Sequence, residues 1–119
     1  MEKFTFFKYP PNIEKRLSDL KTKPAEHWLR EGKKQIDRLI KFVLKTTPAY
    51  RKFLKDNGID YRKIKGFPDL QNLPIIDKNN YLRKYDYLEL FPNKDISSKV
   101  VSATSGSTGD PFYFIRIKT

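Results

Sequence analysis

Thr104-Ser105-Gly106-Ser107-Thr108-Gly109-Asp110-Pro111 stands between two apolar runs, Val100-Val101-Ser102-Ala103 before it and Phe112-Tyr113-Phe114-Ile115-Arg116-Ile117 after it. Both runs are too short for a helix and carry the β-branched and aromatic enrichment of strands. The first is expected to be a short buried strand. The glycines between them permit positive φ and close backbone approach, so that successive N–H groups can point into one concavity. Ser105, Ser107 and Thr108 add hydroxyl donors to the same space. Such a loop can cradle an anion, and the same composition also fits a flexible Ser/Gly hairpin turn. It is not a Walker A loop, because Gly109 is followed by Asp110-Pro111 and a strand pattern rather than by Lys and a helix.

Upstream of this unit the periodicity is helical. From Pro24, the residues Trp28, Leu29, Ile36, Leu39, Ile40, Val43 and Leu44 recur at helical spacing and predict one long amphipathic helix, with Pro24 in its first turn. Lys33, Lys34, Asp37, Arg38 and Lys41 fall mainly on the other side, which reads as a solvated face. Thr47-Pro48 reads as a cap and first turn of a second helix with Tyr50, Phe53 and Leu54 on its apolar face, ended by Gly58. A helical turn is expected between Gly66 and Pro74, and Asp77 is a good N-cap for a helix carrying Tyr81, Leu82 and Tyr85. At the other end, Phe4, Phe6, Phe7 and Tyr9 precede Pro10-Pro11 and read as an extended arm docked on the body. The expected organisation is an arm over 1–22, a helical region over 23–95 and a strand-loop-strand unit over 96–119 that forms an incomplete domain.

Composition narrows the chemistry. The 119 residues include no cysteine, which excludes disulfides, a thiol nucleophile and cysteine-ligated metal; no protein-held metal is expected. The single histidine, His27, lies beside Trp28 in the first turn of the long helix, has no second histidine to pair with and reads as structural. The N-terminus carries charges and prolines instead of an apolar run, so neither a signal peptide nor a membrane span is expected and the cytoplasm is the default location. A net charge of +11 would suit a nucleic-acid partner, but its lysines are scattered instead of clustered with planar arginine, which points to a solvated surface.

The loop resembles the signature phosphate loop of the adenylate-forming superfamily, which includes the acyl-CoA synthetases. The segment before it is similar to the branch of phenylacetate-CoA ligases and capsular polysaccharide biosynthesis proteins. The matching residues are Pro48-Ala49-Tyr50-Arg51-Lys52, Gly58-Ile59-Asp60, Phe67-Pro68-Asp69-Leu70, Leu73-Pro74-Ile75, Lys78 and Leu82-Arg83. The similarity runs from about Lys33 to Ile117. The resemblance implies an α/β fragment, a mostly helical N-terminal region leading into the first strands of a large-domain β-sheet. It implies that Thr104, Ser105, Gly106, Ser107, Thr108 and Gly109 contact ATP phosphates, with Mg2+ accompanying ATP and coenzyme A as co-substrate of the full-length enzyme. A small carboxylic acid would be the other substrate. The catalytic residues would lie beyond residue 119, so the chain alone is expected to have no ligase activity. Asp110 departs from the family pattern, in which lysine commonly follows the second loop glycine, and would repel phosphate unless it turned away or met the metal. Two other readings compete: a small basic helical module binding nucleic acid, and a self-standing interaction protein that keeps the ligase N-terminus as a docking surface.

Overall fold

The computed structural model describes residues 12–97, 99–106 and 109–117 of the chain. Its first element is helix α1 (Ile13–Thr22), begun by Asn12, whose side-chain oxygen accepts from the Lys15 N–H at 3.2 Å. The expected arm over 1–22 is therefore helical from Ile13 onward, while Phe4, Phe6, Phe7 and Tyr9 lie outside the described residues. An Asn cap followed by Ile13, Leu17 and Leu20 at i, i+4 and i+7 was the available signal. That stripe stays exposed, and no residue of α1 is buried.

Helix α2 (Ala25–Thr46) has Pro24 as its N-cap, one position before the first turn where it was expected. Thr47 ends α2 and starts α3 (Pro48–Asp56). The residue before a proline is driven out of the helical region by the pyrrolidine ring, and Thr47 sits extended at φ −109°, ψ 101°. The chain therefore turns a corner at one residue. Arg51 holds the corner, its guanidinium donating to the carbonyls of Leu44 at 2.9 Å and Lys45 at 3.0 Å, which have no intrahelical partners. At the far end of α3, Gly58 takes φ 75°, its N–H donates to the Lys55 carbonyl, and the Ile59 N–H donates to the Leu54 carbonyl at 2.9 Å. This is a Schellman stop, and Ile59 packs against the cluster that contains Leu54.

The core sits on α3. Ala49, Tyr50, Phe53 and Leu54 are buried together with Tyr81, which arrives from the turn Lys78–Leu82. The rings meet edge to face, Phe53 to Tyr81 at 5.3 Å and Tyr50 to Tyr81 at 6.2 Å between centroids, the arrangement their quadrupoles favour. The helix expected from Asp77 through Tyr85 is shorter than that. Asp77 caps it with a reciprocal pair, accepting from the Asn80 N–H while the Asn80 side chain accepts from the Asp77 N–H. The Arg83 N–H then donates back to Lys78, a widened turn that closes the element at Leu82. Asn79 and Asn80 are weak helix formers, so the cap is stronger than the helix it starts. Tyr85 lies past the end, where its hydroxyl donates to the Asp56 carboxylate at 2.5 Å.

These tyrosines make stability sensitive to alkali. Burial, with the neighbouring Tyr50 and Tyr85 hydroxyls, pushes the Tyr81 pKa up to about 12; burial and the Asp56 carboxylate push Tyr85 up to about 12. Both values exceed the unfolded value near 10. The folded chain therefore holds protons that the unfolded chain has released. The contribution is complete below about pH 10 and disappears as pH rises through about 12. We expect the thermal midpoint to fall between pH 9 and pH 11.5, with a smaller fall in Tyr81→Phe and Tyr85→Phe. Equal falls in all three proteins would show that other groups carry the alkaline loss.

The polar side of α2 is not simply solvated. The Asp37 carboxylate accepts from Lys41 at 2.6 Å and from the Phe67 N–H at 3.3 Å, and these two donors hold its pKa below the usual value. Lys33 lies 5.4 Å above the Phe67 ring. Together they dock the 3-10 turn Phe67–Asn72 on α2. Gly66 makes the approach possible: it takes φ 145°, ψ −138°, and a Cβ there would collide with the Asp37 carboxylate. Gly66→Ala is expected to cost about 2 kcal/mol or more, because the strained backbone and the collision add. Chemical unfolding measures this directly, and an unchanged midpoint would show that the turn is not docked as described.

The last described residues form a hairpin. Strands β1 (Lys99–Ala103) and β2 (Tyr113–Ile117) pair antiparallel, Lys99 opposite Ile117 and Ala103 opposite Tyr113. Strand pairing follows the sequence pattern, but the expected burial of Val100-Val101-Ser102-Ala103 does not: Val101 is 63% and Tyr113 61% exposed. Among the described residues the sheet has two strands, and no third element covers the face that carries Val101, Ala103, Tyr113 and Ile115. No helix among the described residues is long and apolar enough to cross a membrane.

Candidate functional site: the loop joining β1 and β2

The loop is rooted by two hydrogen bonds that extend the ladder one step past its last pair. The Thr104 N–H donates to the Phe112 carbonyl at 2.9 Å, and the Phe112 N–H donates to the Thr104 hydroxyl oxygen, also at 2.9 Å. Thr104 thus serves the hairpin's closure while its hydroxyl keeps a hydrogen to donate. Beyond this root both glycines take positive φ, Gly106 at 63° and Gly109 at 102°. The Gly109 N–H donates to the Gly106 carbonyl at 2.9 Å, an i to i+3 closure that forms a tight turn inside the loop.

The six residues expected to contact phosphate fall into three groups. Ser105 is exposed and Gly106 half-buried, and among the described residues their N–H groups have no partner. Thr104 and Gly109 have their N–H groups engaged within the loop, so Gly109 contributes its shape and open space more than a donor. Ser107 and Thr108 lie outside the described residues.

The glycines are not equivalent. A Cβ on Gly109 would meet nothing within 4 Å, so the backbone there is open to approach by a bulky anion. A Cβ on Gly106 would lie 3.1 Å from the Pro111 nitrogen and 3.2 Å from the Asp110 carbonyl carbon, so that glycine is required for the loop to fold back on itself. The loop thus offers an exposed Ser105 with its hydroxyl donor and no side chain across Gly109, features suited to an anion. Asp110 is exposed and makes no ion pair among the described residues.

Cations reach the root of the loop from elsewhere in the fold. Lys78 Nζ lies 5.3 Å and Arg83 Cζ 5.8 Å from the centroid of the Phe112 ring. Sequence reading placed Phe112 in a strand and drew Lys78 and Arg83 only from a family resemblance. The signal that could have linked them is weak, since it requires knowing that the Asp77-capped turn packs against the hairpin. His27 stands apart in the first turn of α2, edge to face with Trp28 at 4.9 Å. Among the described residues no group of three His, Asp or Glu side chains forms a metal cage.

Comparison with known proteins gives one kind of similarity. The chain is 30% identical over 94 residues to a phenylacetate-coenzyme A ligase of Thermus thermophilus, an alignment covering 78% of this chain and 21% of that protein. The chain thus spans about a fifth of that relative's length. No family model matches the chain, and no solved structure gives a significant match.

Proposed function

We propose that the chain is the N-terminal part of an ATP-dependent, carboxylate-activating ligase of the adenylate-forming superfamily, with the Thr104–Gly109 loop holding the phosphates of ATP. The observation that carries the reading is the loop itself: two glycines at positive φ, exposed backbone at Ser105 and open space over Gly109. The partial similarity to a phenylacetate-coenzyme A ligase supports the same reading from an independent direction. The hairpin's uncovered apolar face fits the first strands of a larger sheet that further chain would extend.

In this scheme Ser105 and Gly106 donate to phosphate oxygens and stabilise charge on the departing pyrophosphate. Magnesium carried with ATP neutralises the remaining oxygen charge when bound. The groups that take adenine, the carboxylate and coenzyme A belong to the remainder of such an enzyme. His27, packed on Trp28, takes no part. The test is carboxylate-dependent exchange of pyrophosphate into ATP by the protein encoded by the complete open reading frame. Exchange that requires an added carboxylic acid is expected, and its absence with a panel of aryl and fatty acids would overturn the assignment.

A further inference from the structure

We propose that Phe112 is a positioning residue for the phosphate loop, its ring gripped by Lys78 and Arg83 so that the loop is held at a fixed place on the helical body; this rests on the reading of the loop given above. The contacts form a continuous chain. Asp77 accepts from the Asn79 and Asn80 N–H groups, and the Asn80 side chain donates to the Ile75 carbonyl at 2.9 Å, which makes the turn stiff. Arg83 is oriented from the same turn, its guanidinium donating to the Asn79 side-chain oxygen at 2.9 Å. Lys78 and Arg83 then meet the Phe112 ring at 5.3 Å and 5.8 Å, within the distance at which a cation is drawn to an aromatic ring. Phe112 passes the constraint to the loop, because it exchanges two hydrogen bonds with Thr104, the loop's first residue.

Among the described residues these are the cation–ring contacts that tie the hairpin to the helical body. The hairpin's far face, with Val101 and Tyr113, is exposed, so the ring of Phe112 is the aromatic group through which the loop's root touches the capped turn. Each contact is worth about 2- to 5-fold in an equilibrium at an exposed site.

The experiment uses this chain and two readouts. Hydrogen exchange of the Thr104 amide reports closure of the loop's root, and NMR titration with Mg-ATP reports binding. Phe112→Leu is expected to speed Thr104 exchange and weaken Mg-ATP binding, each by about 5- to 10-fold if both contacts contribute, with Phe112→Tyr restoring both. Lys78→Met with Arg83→Met should reproduce the effect with the ring in place, and adding Phe112→Leu to that pair should do little more. The double variant also keeps the test decisive if Phe112→Leu prevents the hairpin from forming. Wild-type behaviour in Phe112→Leu, or fully additive effects, would overturn the positioning role alone. No saturable Mg-ATP shift in the wild-type chain would overturn the phosphate-loop reading, and the positioning role with it.

Discussion

Phe53→Ala is expected to lower the unfolding free energy by about 3–5 kcal/mol, the range for removing a buried aromatic ring that its surroundings cannot refill. Phe53 is 2% exposed and is the ring on which the others converge, stacked on Tyr50 and edge to face with Tyr81 and Tyr85. Three different parts of the chain would face the resulting cavity: α3, the Asp77-capped turn and the segment that follows it. A domain of this size commonly has only about 5–15 kcal/mol in total, so the variant should be largely unfolded near physiological temperature. Urea titration followed by circular dichroism measures the loss. Phe53→Leu should lose much less, because it restores most of the volume. A Phe53→Ala midpoint close to that of the wild type would mean that the aromatic cluster is not the core.

The second large effect is functional. Gly106→Val should reduce ATP–pyrophosphate exchange by the complete protein by on the order of 100-fold or more, comparable to losing a transition-state hydrogen-bond donor. Gly106 sits at φ 63°, where a β-branched residue is a genuine outlier, and a Cβ there presses on Pro111 and Asp110. The turn closed by the Gly109 N–H would open, and the Ser105 and Gly106 N–H groups would be displaced. The helical core is remote from this change in the contact network, so the thermal midpoint of α2 and α3 should stay near the wild-type value. Unchanged exchange in a folded variant would remove Gly106 from the phosphate site.

Much of the helical body was legible because the signals were local. Thr47-Pro48 gives a forced corner, Gly58 a forced stop and Asp77 a cap, and each acts through the backbone of its own neighbours. The two strands flanking the loop were legible for the same reason, while the hairpin turn that joins them was only the competing reading of the loop. What escaped depended on distant partners. Nothing in the local pattern around Asp37 shows that its carboxylate receives the Phe67 N–H, thirty residues away, or that Gly66 is glycine to admit it. The exposure of Val101 escaped too, because a strand pattern records what a residue is suited to pack against, and among the described residues nothing covers that face. For the loop, the sequence revealed its capacity for positive φ; the structure added that the Gly109 N–H is turned inward and that Lys78 and Arg83 stand at its root.

The most direct test of the phosphate-loop assignment is an amide NMR titration of this chain with Mg-ATP at moderate salt, repeated with Mg-pyrophosphate as competitor. Saturable shifts centred on Ser105, Gly106 and Gly109 are expected, reversed by pyrophosphate and lost in Gly106→Val. Shifts scattered over the lysines of α2 that vanish with rising salt, leaving the loop unmoved, would contradict the assignment.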